Sequence, residues 1–156
     1  MRVDTSQQGE LERIYRDQRD RMWRAVLAFT GDPDVASDAV AEAFAQALRR
    51  GNAIHSPERW LWRSVFRIAA GELQQRRHRG VDHFEGTYEM DESARDLIAA
   101  LAELPEKQRA AVVLHHAIGY SAKEIAPVIG STAPGVHVLL SRGRKRLREL
   151  LAADDA

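Results

Sequence analysis

The sequence predicts an all-α protein of two small helical domains joined by a flexible acidic linker. Apolar residues recur at spacings of three, four and seven along most of the 156 residues, which is the helical period. No stretch alternates apolar and polar residues for the length of a useful strand. The periodicity is lost, and acidic residues dominate, only near residues 80–94. We therefore place the first domain at residues 1–79, the linker at 80–94 and the second domain at 95–156.

Three amphipathic helices are predicted in the first domain. The first covers about residues 9–30, where the apolar residues form one continuous face. The second and third both begin with a capping residue followed by a proline, Asp32-Pro33 and Ser56-Pro57, a pairing typical of helix N-termini. The second helix extends to about Arg50, and the third reaches a basic cluster at residues 76–79.

The second domain ends in the most specific local pattern of the sequence, at residues 121–151. Ser121 and Glu124 have the spacing of a capping box, and Gly130 permits a sharp turn before a longer helix that Ser131 or Thr132 caps. One stripe of that helix is apolar (Val136, Leu140, Gly143, Leu147 and Leu151), and the adjoining face is polar and basic. A short helix, a glycine turn and a longer helix indicate a helix-turn-helix. Pro127 lies inside the short helix, where it predicts a kink or a cost of about 3 kcal/mol.

The formal charges cancel over the whole chain but are unevenly distributed. Residues 1–80 carry a net +3, residues 81–106 a net −7 and residues 107–156 a net +4. Two basic lobes are thus connected by an acidic segment, a pattern compatible with nucleic-acid binding despite the zero total.

The third helix carries a basic stripe. At about 100° per residue, one side holds Arg59, Arg63, Arg67, Gln74 and Arg77, with Trp60 at its edge, and the other side is apolar. Arginines beside an aromatic ring are typical of single-stranded nucleic-acid binding, since the cations follow phosphates and rings accept unstacked bases. The alternative is that Trp60 and Trp62 both lie in the core and the arginines are merely solvated.

Several other functions are not indicated by the sequence. It has no cysteine, no apolar run near the roughly 20 residues of a membrane span, and a polar N-terminus unlike a signal peptide. Adjacent His115 and His116 diverge on a helix, so no metal site is predicted. No set of nucleophile, base and orienting residue is readable. We expect a cytoplasmic protein that is not an enzyme and has no cofactor.

Two sets of residues in this order resemble those of bacterial RNA polymerase sigma factors, over about residues 11–151. The first set resembles the core-binding and promoter-melting domain, and comprises Asp32-Pro33, Asp38, Val40, Glu42, Phe44 and Trp60-Leu61-Trp62-Arg63. The second resembles the promoter-reading domain, and comprises residues 101–109, 119–126 and 141–148. With two domains and a short linker, the chain most resembles the extracytoplasmic-function (ECF) subclass.

The resemblance implies a function in transcription initiation and a role for each matching residue. Asp38 and Glu42 would bind the β′ clamp helices of core RNA polymerase, and the β flap would be a further contact. The minus-ten element of the promoter would be bound and melted by Arg59, Trp60, Arg63, Arg67, Gln74 and Arg77. The minus-thirty-five element would be bound by Thr132, His137, Ser141, Arg142, Arg144, Lys145 and Arg148. An anti-sigma factor is a further partner that the resemblance implies.

The two predicted DNA-binding helices each depart from the pattern of the family, and Leu48 of the second helix replaces an aromatic residue that the family often has. Arg67 replaces the usual asparagine of the melting helix, and residues 135–139 replace the usual Thr-Val-Lys-Ser-Arg of the reading helix. The second change places Val138 and Leu139 where polar groups are usual, so the isolated second domain is expected to bind DNA weakly.

The alternative function is a stand-alone helix-turn-helix regulator that does not bind core polymerase. Such a protein would need the pattern at residues 119–126 but not the acidic pair Asp38 and Glu42, nor the arginine stripe of the third helix.

Overall fold

The computed structural model describes residues 5–78 and 90–154, and these residues form helices and turns without a strand. The first lobe consists of α1 (Thr5–Thr30), α2 (Pro33–Arg50), a 3₁₀ turn (Gly51–Ala53) and α3 (Pro57–His78). The predicted all-α fold is confirmed.

A buried carboxylate joins two helices of the first lobe. Asp32 is the N-cap of α2, and its Oδ1 accepts hydrogen bonds from the backbone N–H groups of Asp34 (2.9 Å) and Val35 (3.3 Å). Its other oxygen pairs with the guanidinium of Arg76 on α3. Because the carboxylate is buried, these partners replace the water that it loses on folding.

The core of the first lobe lies between its three helices. Its largest fully buried side chains are Met22, Val26, Phe29, Val35, Leu61, Trp62 and Val65. The rings of Phe29 and Phe66 are 5.3 Å apart and link α1 to α3.

The second lobe contains four helices and a π-helical turn. They are α4 (Glu92–Ala102), α5 (Glu106–Val113), the π turn (Leu114–Ile118), α6 (Ala122–Ile129) and α7 (Ala133–Asp154). The π turn, which the sequence did not predict, ends at Gly119 in the left-handed conformation (φ +80°).

The two lobes pack against each other and share one hydrophobic core. Arg109 of α5 is buried, and its guanidinium carbon lies 5.3 Å from the centre of the Phe29 ring of α1. Arg21 of α1 donates from Nε (3.3 Å) and Nη2 (3.0 Å) to the carbonyl oxygen of Ala117. Charged side chains therefore contribute to the contact between lobes as well as to the surface.

Two helix boundaries differ from the sequence prediction. Helix α1 begins at Thr5 instead of residue 9. The sequence prediction missed its first residues because they are polar and show no apolar period. Helix α4 begins at Glu92 instead of residue 95, since Asp91 caps it by accepting from the N–H of Ala94 at 2.7 Å. Most of the predicted linker lies outside the described residues, so its flexibility stays a prediction.

Helix α6 continues through Pro127. The proline lies on the exposed side of the helix, so the carbonyl group that loses its hydrogen bond is not enclosed by the core. Pro127 therefore lies inside the helix, as the sequence predicts, and the kink or energetic cost stays a prediction.

Candidate nucleic-acid and polymerase interfaces

Helix α3 separates a basic face from a buried one, as the angular pattern predicts. Arg59, Arg63, Arg67 and Gln74 are exposed, and the apolar side contributes Leu61, Trp62, Val65, Phe66 and Ala69 to the core. The side chain of Arg77 lies outside the described part of the structure.

The two tryptophans of α3 have different environments. Trp62 is 1% exposed and belongs to the core, whereas Trp60 is half-buried at the edge of the basic face. The guanidinium carbon of Arg50 lies 5.5 Å from the Trp60 ring centre, a cation–π contact. Sequence reasoning missed Arg50 because it belongs to α2 and reaches this face only through tertiary packing.

One arginine of the α3 face also contacts the second lobe. Nη2 of Arg59 lies 3.4 Å from Oε2 of Glu124, at the start of α6. The predicted minus-ten surface therefore touches the helix-turn-helix directly.

The helix-turn-helix is built from the local signals that the sequence contains. Oγ of Ser121 accepts from the N–H of Glu124, and Oε1 of Glu124 accepts from the N–H of Ser121, both at 3.2 Å. The hydrogen bond from the backbone N–H of Ser121 is the main cause that lowers the pKa of the Glu124 carboxyl, and the side chain of Ser121 and the charge of Arg59 act in the same direction. Gly130 adopts the left-handed conformation (φ +67°) at the turn, and Thr132 caps α7 by accepting from the N–H of Gly135 at 3.2 Å.

Helix α7 packs closely on the second lobe along its apolar stripe. Val136, Leu140 and Gly143 are buried, while Leu147 and Leu151 are half-buried. A Cβ atom at Gly143 would lie 2.8 Å from Cγ2 of Val112 on α5, so the two helices are in contact where glycine has no side chain.

Most of the predicted minus-thirty-five residues are exposed. Thr132, His137, Ser141, Arg142, Lys145 and Arg148 are in this group. Arg144 is half-buried near His116, whose pKa is lowered by burial and then by the charges of His115 and Arg144. Arg144 is thus set back from the outer face of the helix.

The predicted polymerase-binding pair is exposed on α2. Oε1 of Glu42 accepts from Gln46 and Arg49, each at 3.0 Å, and these contacts lower the pKa of Glu42. Glu72 of α3, which sequence reasoning did not include, adds a carboxyl group to this region. Its pKa is raised by partial burial and by the charge of Asp38. The acidic surface therefore combines residues from two helices.

A cluster of metal ligands and a membrane-spanning helix are two features that the described residues lack. Within residues 5–78 and 90–154, no three histidine, aspartate or glutamate side chains cluster as metal ligands would. None of the described helices has the length and apolar character that crossing a membrane requires.

Known proteins are similar to this chain in sequence and in fold. Residues 94–147 match the family described as "Sigma-70, region 4". ECF RNA polymerase sigma factor EcfG of Rhodopseudomonas palustris (strain TIE-1) is 26% identical over 143 residues, which cover 83% of this chain and 78% of EcfG. RNA polymerase sigma factor SigV of Bacillus subtilis (strain 168) is 24% identical over 156 residues, covering 89% of each.

Two solved structures have the same fold. The sigma factor RpoE of Bartonella quintana, in complex with the anti-sigma factor NepR, has a TM-score of 0.77 and 21% identity, covering 93% of this chain and 98% of RpoE. CnrH, in complex with the cytosolic domain of CnrY, has a TM-score of 0.74 and 21% identity, covering 94% of this chain and 90% of CnrH.

These likenesses extend over both lobes, whereas a shared helix-turn-helix alone would involve only the second. Together these findings support an ECF sigma factor of bacterial RNA polymerase, a class of transcription initiation factor, as the residues of the two lobes predict.

Proposed function

We propose that this chain is an ECF sigma factor that binds core RNA polymerase through the acidic surface of α2 and recognises a promoter with two separate helices. Asp38 and Glu42 would contact the β′ clamp helices, and the second lobe would contact the β flap. Helix α3 would bind and melt the minus-ten element, and α7 would bind the minus-thirty-five element.

The exposed basic and aromatic face of α3 is the observation that carries this proposal. Arg59, Arg63 and Arg67 are exposed in line, and Trp60 borders them above a core that includes Trp62. This arrangement suits a single strand, because arginines pair with phosphates and an aromatic ring stacks with an unpaired base. A stand-alone helix-turn-helix regulator has no use for such a face.

The two DNA-binding helices would contribute differently. On α7, Arg142, Lys145 and Arg148 would pair with phosphates of duplex DNA and give salt-sensitive attraction. On α3, Arg67 stands in place of the usual asparagine. Its guanidinium pairs with a phosphate or with the O6/N7 edge of guanine, whereas an amide suits adenine, so the base preference at the minus-ten element would differ from that of the family.

Three further parts of the proposal rest on the class of protein. The relatives are sigma factors, a class without enzymatic activity, and we propose that this chain has none. Core RNA polymerase, its proposed partner, works in the cytoplasm, and so would this protein. Two structural neighbours were solved with NepR and with CnrY, respectively, which supports an anti-sigma factor as a further partner.

Run-off transcription with purified core polymerase and a random promoter library tests the proposal. The wild-type chain should select promoters and yield transcripts. Asp38→Arg combined with Glu42→Arg should remove binding to core polymerase and all transcripts, because both exposed carboxylates become cations. A lack of transcripts with the wild-type chain would contradict the proposed function.

A matched charge reversal controls for the change in net charge. Glu12→Arg combined with Asp20→Arg alters two exposed acids of α1 and leaves the acidic surface of α2 intact. This variant should retain polymerase binding. If both double variants lost binding equally, the assignment of Asp38 and Glu42 would be wrong.

A further inference from the structure

Val138 is an exposed apolar side chain on the helix-turn-helix. It is 47% exposed and, among the described residues, one of four large hydrophobic side chains with comparable exposure. A single exposed hydrophobic residue needs no explanation in itself. Its position on α7 is what distinguishes Val138 from the others.

Val138 lies at the centre of the outer face of α7. The buried stripe formed by Val136, Leu140 and Gly143 defines the inner side of the helix. At about 100° per residue, Val138 falls within about 15° of the point opposite that stripe, whereas His137 falls about 90° away. The valine therefore projects farthest from the lobe, and the histidine lies on the flank.

The surroundings of Val138 are cationic. Its exposed neighbours one and two turns away on the same side are Pro134, Ser141, Arg142 and Lys145. The first acid in α7 is Glu149, which lies at the far end and pairs with Arg146 at 3.6 Å. An apolar side chain beside two exposed cations, with no acid on this part of α7, suits a polyanion that presents a small apolar group.

Duplex DNA has this combination of charge and apolar surface. Phosphates line both edges of the major groove, and thymine exposes a C5-methyl group on its floor. Valine in a helix is restricted to essentially one χ1 rotamer, so its methyl groups are held in place before binding. The contact would therefore require little ordering of the side chain.

We propose that Val138 recognises the methyl group of one thymine in the minus-thirty-five element. The inference rests on the proposed function, because it assigns α7 to the major groove of that element. Arg142 and Lys145 would hold the flanking phosphates, and the valine would supply base preference at a position where the family usually has a polar side chain.

Deoxyuridine scanning with the full chain and core polymerase tests this contact. Each thymine of a selected minus-thirty-five element is replaced singly by deoxyuridine, which removes only the methyl group, and promoter affinity of the holoenzyme is measured. One replacement should weaken binding about fourfold, the factor that corresponds to burial of one methyl-sized group at about 0.8 kcal/mol.

Val138 variants determine whether the effect belongs to this residue. Val138→Ala should weaken binding to the thymine promoter about as much as deoxyuridine does, and should bind the two promoters equally. Val138→Ile should keep the preference. Leu97→Ala, which truncates another exposed apolar side chain of the second lobe, should leave the fourfold preference unchanged.

Two results would overturn the inference while leaving the proposed function intact. One is transcription without sensitivity to any thymine methyl group of the minus-thirty-five element. The other is a sensitivity that persists unchanged in Val138→Ala, which would leave protein docking as the use of this face. Absence of transcription from every promoter would instead overturn both proposals.

Discussion

The basic faces of α3 and α7 differ in what surrounds their cations. On α3, Arg59 pairs with Glu124 at 3.4 Å, and Arg50 of α2 lies against the Trp60 ring. On α7, Arg142, Lys145 and Arg148 are exposed, and no ion pair joins them to an acid within the described residues. The first face is embedded in intramolecular contacts, and the second is open.

Under the proposed function, this difference would determine how available the cations of each face are to DNA. The α7 face is presented by one helix, so its cations are available as soon as the second lobe is folded. The α3 face depends on other helices, since α2 supplies Arg50 against Trp60 and α6 supplies Glu124 against Arg59. Under the proposed function, full use of the α3 face would require the Arg59–Glu124 contact to open.

Removal of the core tryptophan beneath the α3 face should have the largest effect. Trp62→Ala is expected to lower the free energy of unfolding by about 3–5 kcal/mol, because the side chain is fully buried and would leave a cavity. Urea denaturation followed by circular dichroism measures this loss.

The neighbouring tryptophan provides the control. Trp60→Ala removes the same side chain from a half-buried position, so the stability loss should be clearly smaller. Equal losses for the two variants would show that Trp60 is a core residue and would remove it from the nucleic-acid face.

Trp60→Ala should instead affect promoter melting. Stacking of a base on an aromatic ring contributes about 1–3 kcal/mol, so open-complex formation should fall by roughly 5- to 150-fold. Binding to core polymerase should change little, because the acidic surface of α2 is untouched. Permanganate reactivity of unpaired thymines measures melting, and a fluorescence titration measures polymerase binding.

Trp60→Phe serves as the matched variant, since it retains an aromatic face. It should recover most of the melting that the alanine variant loses. A parallel loss of melting and polymerase binding in Trp60→Ala would contradict a specific role of this ring in the open promoter.

Local signals account for the parts of the fold that the sequence predicted well. The capping box of Ser121 and Glu124, the turn at Gly130 and the apolar stripe through Val136 each depend on residues a few positions apart. The π turn at Leu114–Ile118 has no comparable local signal, and the polar start of α1 has no apolar period.

The candidate sites were predictable to the extent that each lies on one helix. Angular positions on α3 correctly assigned Trp62 to the core and Arg63 to the surface. The same reasoning could not find Arg50 beside Trp60, or the burial of Arg109 against Phe29, because an arginine in a sequence is most often a solvated one. Such contacts exist only after helices distant in sequence have packed.

The smallest predicted effect concerns the ion pair between Arg59 of α3 and Glu124 of α6. Glu124→Gln removes the carboxylate opposite Arg59 but keeps an oxygen that can accept from the N–H of Ser121, so the capping box is preserved. Because the pair is solvent-exposed, stability should hardly change. Open-complex formation should rise by at most about fivefold at low salt, as Arg59 becomes available to the strand, and the gain should shrink as salt screens the original pair.

Glu149→Gln is the matched control, since it neutralises an exposed acid that pairs with Arg146 far from α3. It should leave melting unchanged at every salt concentration. If Glu124→Gln also left melting unchanged at low salt, the contact between lobes would place no restraint on Arg59. The α3 face would then be as open as that of α7, and the difference between the two helices would lie in their packing alone.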